Sequence, residues 1–517
     1  MKSKLLLTLA ATLLASTSAM AANLVVATQN LPAYIDPGKD HSNSGSQVQV
    51  NAFDPLIQKD YTQPTPTFSP GLATKWEQTS PTELVVTLRE GVKFHDGATM
   101  TADDVVFSFL RIIDEVTPEF GSIKKQFFSN FEKVEAIDSK TVRFTTLKPE
   151  PLFETLLNAQ QGYVIPKAYV MGLTGDPQVA EVSDFEAFGL KPVGTGPYRI
   201  TAFQPGETVV YEKFAEHYGE AAPLDRVELR RIAEMATRLT ALANGEVDII
   251  TNVPPDQLAT IEANPALKVE GNVTPLFHLV FFNTENPRLA DKKLRQALSH
   301  AIDRDLLNEA LWLGKAVVPS THTYPQYGAL YMPELKTFEY DLEKAKALLA
   351  ESNYDGKPIR FDTDAVYYTN GLLAAQAIKE MWGAIGVELN LNVDPKWTGN
   401  DADMETRNWS NPMYFADPAG SYGTMWSPTG ARITSSSWKP SAEYTAMWER
   451  FRYSTDVAER KAAYAEIMAY VKEEAPFVLL YQPYESYGLS KNVEWKPLPG
   501  HIPYVLDFRA GAIAVND

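Results

Sequence analysis

The strongest constraint on the fold is a repeated order in which an amphipathic helix runs directly into a strand. Residues 371–393 read GLLAAQAIKEMWGAIGVELNLNV, where a helical pattern ends at Gly386 and a strand follows. Residues 456–482 repeat this order, because a helical pattern ends at Pro476 and the apolar segment FVLLYQ comes next. Alternating helices and strands indicate α/β domains with partly parallel sheets, whose ligands bind in crevices at strand ends.

The N-terminus has the pattern of a secretory signal peptide. Lys2 and Lys4 form a positive start, residues 5–14 form an apolar run, and residues 19–21 (Ala-Met-Ala) form a small-residue cleavage site. The apolar run is shorter than the roughly 20 residues that a helix needs to cross a bilayer. We therefore expect residues 1–21 to be removed and the mature protein to be exported to the periplasm.

Composition narrows the possible partners. The 517 residues include no cysteine, so neither a disulfide nor a thiolate metal site is available. The formal net charge of −18 argues against binding to nucleic acid or to an anionic membrane surface. The length suggests about three domains of roughly 150 residues each.

No motif for a common catalytic or cofactor site is present. The chain has only seven histidines and none stands in H-E-x-x-H spacing, and it has no G-x-S-x-G elbow and no Walker A motif. In GTGPYR, Arg199 replaces the third glycine of a dinucleotide cradle and Pro197 removes a backbone donor. We therefore expect no cofactor, no metal and no catalytic activity. A secreted hydrolase and a folding helper for exported chains stay open as alternatives.

Six separated segments, in order along the chain, carry a family resemblance. They are PGLATKWE (70–77), LREGVKFHDGATMTADDVVFSF (88–109), PVGTGPYRI (192–200), NGEVDII (244–250), FFNTENPRLADKKLRQALSHAIDR (281–304) and YDLEKAKALLAES (340–352). Together they resemble the family-5 extracellular solute-binding proteins of ABC importers, which include dipeptide-, oligopeptide-, nickel- and opine-binding proteins. These segments belong to the scaffold and do not identify the ligand.

The resemblance implies an α/β, two-lobed periplasmic-binding-protein fold of type II, with an extra domain and with the ligand cleft between the lobes. The implied division is a signal peptide (1–21), lobe 1 (22–53, 166–270 and 483–517), the extra domain of lobe 1 (54–165) and lobe 2 (271–482). It also implies a monomer that captures a small solute by lobe closure and delivers it to ABC permease subunits in the inner membrane.

Asp417 is the first candidate ligand-binding residue. In YFADPAG it aligns with the aspartate that takes the α-ammonium of the ligand in peptide-binding members. A buried carboxylate is costly unless it is paired, so an unpaired Asp417 would indicate a ligand site. In the other interpretation, Asp417-Pro418 only starts a turn.

Arg432 is the second candidate, because the sequence after Asp417 leaves the peptide-binder pattern. A planar guanidinium among glycines and hydroxyls suits a multi-oxygen anion such as phosphate or carboxylate. The neighbouring candidates are Gly430, Thr434, Ser435 and Ser436, with Trp409, Tyr414, Trp426 and Trp438 for stacking on sugar rings and Asn408 and Asn411 for bonding hydroxyls. More distant candidates are Gln29, Asn30 and Tyr34 after the first strand, and His322 in PSTHTYP.

The segment around Arg432 resembles the opine branch of the family, particularly the binders of sugar-phosphodiester opines such as agrocinopine. This resemblance favours an opine-like or sugar-phosphate solute over a di- or oligopeptide. The alternative for the same segment is a polar surface loop in which Arg432 forms an ordinary ion pair.

Overall fold

The computed structural model describes residues 23–40, 42–60, 67–116, 118–174, 181–365, 368–393, 404–435, 437–498 and 504–516. The predicted signal peptide and the candidate Ser436 lie outside the described residues, and so does the side chain of Thr434. No helix within these ranges has the length and apolarity to cross a membrane.

The strands of the described residues are numbered in chain order. They are β1 (Asn23–Thr28), β2 (Ile57–Asp60), β3 (Thr67–Pro70), β4 (Ala73–Ser80), β5 (Glu83–Leu88), β6 (Phe131–Asp138), β7 (Thr141–Thr146), β8 (Tyr198–Gln204), β9 (Thr208–Lys213), β10 (Arg226–Arg231), β11 (Ile249–Ile250), β12 (Leu267–Val273), β13 (Leu276–Phe282), β14 (Ile359–Thr363), β15 (Leu389–Val393), β16 (Thr406–Pro412), β17 (Phe477–Tyr481), β18 (Tyr484–Ser490), β19 (Val493–Trp495) and β20 (Ile513–Val515).

The α-helices of the same ranges are α1 (Asn43–Ala52), α2 (Ala102–Ile113), α3 (Pro118–Ile123), α4 (Phe153–Asn158), α5 (Lys167–Gly172), α6 (Val182–Leu190), α7 (Met235–Ala243), α8 (Leu258–Glu262), α9 (Lys292–His300), α10 (Arg304–Trp312), α11 (Leu342–Ala350), α12 (Gly371–Gly383), α13 (Tyr422–Trp426), α14 (Ala431–Thr434), α15 (Ala442–Tyr453) and α16 (Val457–Glu474). Short 3-10 turns cover Gln160–Gly162, Pro255–Gln257, Pro325–Leu330 and Pro418–Gly420, and a π turn covers Lys124–Phe128.

Two large mixed sheets form the centres of the two lobes. In the described residues the first sheet has the order β12-β18-β11-β1-β10-β9-β8, and β1 runs parallel to both β10 and β11. The second sheet has the order β15-β14-β16-β13-β17, and β14 runs parallel to both β15 and β16. The predicted α/β class with partly parallel sheets is therefore confirmed.

The chain passes between these sheets twice. The first passage joins β12 to β13 and the second joins β17 to β18. An isolated bridge between Val317 and Gln482 lies beside the second passage. The predicted lobe limits at 270/271 and 482/483 lie next to these passages, although Gly271 is still part of β12 in the first sheet. The division of the chain into domains stays a prediction.

A smaller antiparallel sheet of order β4-β5-β7-β6 is inserted between β1 and β8 along the chain. Helix α2 packs on this sheet through Phe109, whose ring lies 5.0 Å from Phe144 and 5.5 Å from Phe128. We call residues 67–165 the insert. Arg111 of α2 forms a buried two-bond ion pair with Asp36 after β1, so that the insert is fastened to the first lobe.

The turn GTGP fits closely against the end of α1. Gly196 donates its N–H to the carbonyl of Ala52 at 3.0 Å, and a Cβ atom at Gly194 would stand 2.1 Å from that same oxygen. Backbone on both sides leaves no room for a side chain. The two glycines are thus required by the approach of two chain segments.

We expect Gly194→Ala to lower the free energy of unfolding by about 1–3 kcal/mol, because the added methyl overpacks a rigid backbone contact. Gly172→Ala is the matched control, since a Cβ there meets nothing within 4 Å, and its effect should stay within about 1 kcal/mol. Urea denaturation of both variants measures the difference. Equal stability of the two variants would contradict this close approach.

Candidate functional site

A cavity of about 370 Å³ brings together residues that follow strands of both large sheets. Gln29 and Asn30 follow β1 and Asn252 follows β11 in the first sheet, whereas Asp364 follows β14 in the second. In mixed α/β sheets, the carboxyl ends of parallel strands are the usual place for a ligand. The other lining residues are Leu31, Asn43, Ser44, Gln47, Thr369 and Tyr504.

Local backbone features place these side chains at the cavity. Thr28 donates its hydroxyl to the carbonyl of Asn30 at 3.1 Å and so turns the chain at the end of β1. Asn252 adopts a positive φ of 55°, which re-aims the chain after β11. Helix α1 begins at the cavity, because Ser42 caps its first turn by accepting from the N–H of Gly45 at 3.1 Å.

The cavity has a mostly neutral, hydrogen-bonding wall. Its described lining residues include five carboxamides and three hydroxyls, together with the single carboxylate of Asp364 and no lysine or arginine. Carboxamides and hydroxyls both donate and accept hydrogen bonds, so they can bind hydroxyl, amide and amine groups. Such a wall can bind uncharged polar groups, and Asp364 adds one carboxylate to it.

Glu485 forms a second layer behind this wall. Its carboxylate accepts from the Nδ2 of Asn252 at 3.4 Å, and the residue is only 2% exposed. Burial raises the pKa of Glu485 from 4.5 to about 7, against the opposite effect of its hydrogen bonds with Tyr504 and Asn252. Two residues that line the cavity therefore contact an acid that exchanges its proton near neutral pH.

The raised pKa of Glu485 predicts a pH-dependent stability. Between pH 4.5 and about 7 the folded protein holds a proton that the unfolded chain has released, so stability is lost as the pH rises through this window. From pH 5 to pH 8 we expect the wild type to lose about 2–3 kcal/mol relative to Glu485→Gln. Urea denaturation at both pH values measures this loss. The exposed Glu494→Gln serves as the control, and the same pH response in all three proteins would contradict the assignment.

Asp417 is buried and already paired. Its two carboxylate oxygens lie 3.0 and 2.8 Å from Nη2 of Arg460 in α16, and Oδ1 also accepts from the N–H of Ala419 at 2.9 Å. Asp417 is therefore not an unpaired carboxylate, because Arg460, 43 residues further along the chain, neutralises it. Asp417 does start the turn Pro418–Gly420, as the alternative interpretation held. A direct role in ligand binding stays a prediction.

The buried pair predicts that Asp417→Asn acts mainly on stability. Removal of one charge leaves the guanidinium of Arg460 buried without its counter-ion, which should cost about 3–5 kcal/mol in the free energy of unfolding. The control is Glu466→Gln, which removes an exposed pair with Arg450 and should cost less than about 1 kcal/mol. Chemical denaturation measures both variants, and similar values for the two would contradict the pairing.

Arg432 lies in a buried aromatic environment in the second lobe. Its guanidinium carbon is 4.6 Å from the ring centre of Phe281 and 5.0 Å from that of Trp409, while Arg407 lies 4.8 Å from the same Trp409 ring. Burial lowers the pKa of Arg432 to about 10, so the side chain stays charged at neutral pH. The arginine does not line the 370 Å³ cavity. Its role toward an anionic ligand stays a prediction.

The serine and glycine candidates beside Arg432 have local structural partners. A Cβ atom at Gly430 would stand 2.5 Å from the carbonyl of Met425, so packing alone requires this glycine. The hydroxyl of Ser435 lies 3.0 Å from that of Ser437. Among the candidates that the sequence singled out, Gln29 and Asn30 are those that line the cavity.

His322 and Asn411 belong to a buried polar network. His322 Nε2 lies 3.1 Å from Asn411 Oδ1, and Asn411 donates from Nδ2 to the carbonyl of Ser421 at 2.8 Å. Tyr464 donates its hydroxyl to the carbonyl of His322 at 2.7 Å. Burial lowers the pKa of His322 to about 4, so the imidazole is neutral at neutral pH. This network joins four separate segments of the second lobe.

The two tyrosine candidates lie apart from one another. Tyr414 is buried and meets the ring edge of Phe127 of the insert at 5.3 Å. Tyr34 is half-buried, with the amine of Lys39 at 5.2 Å from its ring centre. Neither tyrosine lines the cavity.

Sequence reasoning did not find most of the cavity. The residues that it missed are Leu31, Asn43, Ser44, Gln47, Asn252, Asp364, Thr369 and Tyr504. For one of these a usable signal existed, since Asn252 is a polar residue that comes just after the apolar strand β11. Among the described residues, no three His, Cys, Asp or Glu side chains are placed to hold a metal ion.

Comparison with known proteins decides the family. Residues 67–432 match the model of the bacterial extracellular solute-binding proteins, family 5. The chain belongs to this family. Family-5 proteins bind solutes for ABC importers, and the two-lobed fold with a cavity at the strand ends is the architecture of such a binding protein.

The relatives of this family-5 protein are named for different ligands. It is 27% identical to heme-binding protein A of Haemophilus influenzae, over 86% of this chain and 84% of the relative. It is 25% identical to the dipeptide-binding protein of Escherichia coli K12, over 80% of each chain.

Solved structures have the same fold. The periplasmic binding protein DppA from Helicobacter pylori, in complex with the peptide STSA, matches with a TM-score of 0.85 and 25% identity, over 96% of this chain and 99% of that one. The agropinic acid complex of AgaA from A. tumefaciens R10 matches with a TM-score of 0.81 and 24% identity, over 96% and 99%. Such varied solutes on one scaffold mean that the ligand has to be argued from the cavity.

Proposed function

We propose that this family-5 protein captures a small, polar, amine-bearing solute of the opine type in the 370 Å³ cavity and delivers it to an ABC permease. The observation that carries this proposal is the composition of the cavity wall, with its carboxamides, its hydroxyls and Asp364. Carboxamides and hydroxyls complement a polyhydroxylated, amide-containing body, and a carboxylate complements an amine. Opines that join a sugar to an amino acid carry these groups together.

A di- or oligopeptide is the second candidate solute. The peptide backbone also presents amide groups and an α-ammonium, and the relatives include a dipeptide-binding protein and a structure in complex with the peptide STSA. The sugar-phosphate version of the first candidate has less support, because Arg432 and Arg407 contact Trp409 and do not line the cavity.

Capture works by a shift in population between open and closed lobes. A solute that contacts residues after β1 and β11 on one side and Asp364 on the other makes all its bonds only when the lobes are closed. In this proposal the protein acts as a monomer in the periplasm after removal of its signal peptide, and releases its solute chemically unchanged.

A thermal-shift screen of the mature chain tests the proposed class. The panel contains opines, sugar phosphates, di- and oligopeptides and nickel complexes. A solute present at 100 times its Kd should stabilise the protein by about 2.7 kcal/mol. Recovery of that solute unchanged after long incubation separates a binding protein from a hydrolase.

Asp364→Asn should weaken binding of an amine-bearing solute by about 10- to 100-fold, because the charge-assisted bond is lost. Isothermal titration calorimetry measures the change. Asp256→Asn, on the surface of the first lobe, is the matched control and should leave affinity unchanged. If Arg432→Met abolishes binding while Asp364→Asn has no effect, the ligand is an anion and the proposed class is wrong.

A further inference from the structure

The insert is held to each lobe by a buried arginine–carboxylate pair. On the first lobe the pair is Asp36 with Arg111, at 2.9 and 2.8 Å. On the second lobe it is Glu150 with Arg452 of α15, at 2.7 and 2.6 Å. The side chains of Asp36 and Glu150 are fully buried. The insert therefore spans both lobes at a place outside the ligand cavity.

The carboxylate of Glu150 accepts four hydrogen bonds. Besides the two bonds from Arg452, Glu150 accepts from the Nδ2 of Asn130 and from the N–H of Leu152, each at 3.0 Å. Four donors on two oxygens fix the position of the carboxylate. Such an ion pair is stable only while both partners stay together in the buried site.

Other contacts surround this pair and join the same two surfaces. The ring of Phe127 lies 5.3 Å from Tyr414 and 6.3 Å from Phe415. Thr429 donates its hydroxyl to the carbonyl of Lys125 at 2.9 Å. Lys148 forms a more exposed ion pair with Glu449. Residues 125–150 of the insert and residues 414–453 of the second lobe thus form one continuous interface.

Chain connectivity decides which of the two pairs separates when the lobes open. The insert leaves the first lobe after α1 and returns to it at β8, so both of its ends are joined covalently to that lobe. Its contact with the second lobe is non-covalent. A rotation about the two passages between the sheets would keep Asp36–Arg111 intact and would pull Glu150 away from Arg452.

We infer that Glu150 and Arg452 form a latch that holds the insert against the second lobe in the closed state. These two positioning residues set the closed fraction of the ligand-free protein, and through it the affinity for any solute. The apparent Kd is inversely proportional to the fraction of the protein that is competent to bind. The inference rests on the proposed capture by lobe closure, and it needs no knowledge of the solute.

The test is single-molecule energy transfer on the full mature chain without solute. Because the protein has no cysteine, Lys75→Cys in the insert and Lys357→Cys in the second lobe introduce the label sites. Arg452→Met should reduce the high-transfer, closed population at least tenfold relative to the open one, since Glu150 is then buried without a counter-ion in the closed state and solvated in the open state. Arg452→Lys, which keeps the charge, should give an intermediate shift.

Arg111→Met is the matched control, because it removes the buried arginine of the other pair, on the side that does not separate. It should lower the melting temperature without changing the transfer distribution. The latch is overturned if Arg452→Met, or Arg452→Lys where the first variant fails to fold, leaves the distribution unchanged. It is also overturned if the ligand-free wild type shows no closed population. Neither result depends on finding a solute. The energy-transfer test can therefore contradict the latch without bearing on the proposed ligand class, which the thermal-shift screen tests.

Discussion

The first large sheet is joined to the second by two short passages of the chain, between Val273 and Leu276 and between Tyr481 and Tyr484. Because these passages are short, the lobes can rotate about them, and among the described residues the insert contacts the second lobe without a covalent link. Residues that follow strands of either sheet, on the sides where the lobes face each other, can therefore line the space between the lobes. The cavity beside Asn30 and Asp364 follows from this geometry.

Buried arginine–carboxylate pairs join separate parts of the two lobes and the insert. The chain is strongly acidic, yet three of its buried carboxylates, those of Asp36, Glu150 and Asp417, each face an arginine. Each pair joins segments that are far apart in sequence, so that the charges act as anchors for tertiary contacts. Their net contribution to stability is small when intact and large when one partner is removed. This asymmetry makes them good determinants of one specific arrangement.

The sequence predicted the local structure well and the cavity poorly. The helix-to-strand units at Gly386 and Pro476 are confirmed, since α12 and α16 end and β15 and β17 begin as expected. This prediction succeeded because capping and periodicity act over only a few residues. Gln29 and Asn30 were identified for the same local reason. The tertiary fold alone brings together Asn252, Asp364 and Tyr504, and their spacing in the sequence does not predict this. The pairing of Asp417 with Arg460 was invisible for the same reason.

Glu485 is a buried acid directly behind the wall of the cavity. Burial raises the pKa of Glu485 to about 7, and its carboxylate accepts a hydrogen bond from Asn252 of the cavity wall. Loss of the proton of Glu485 adds a second negative charge at a cavity whose described lining has the carboxylate of Asp364 as its one acidic group.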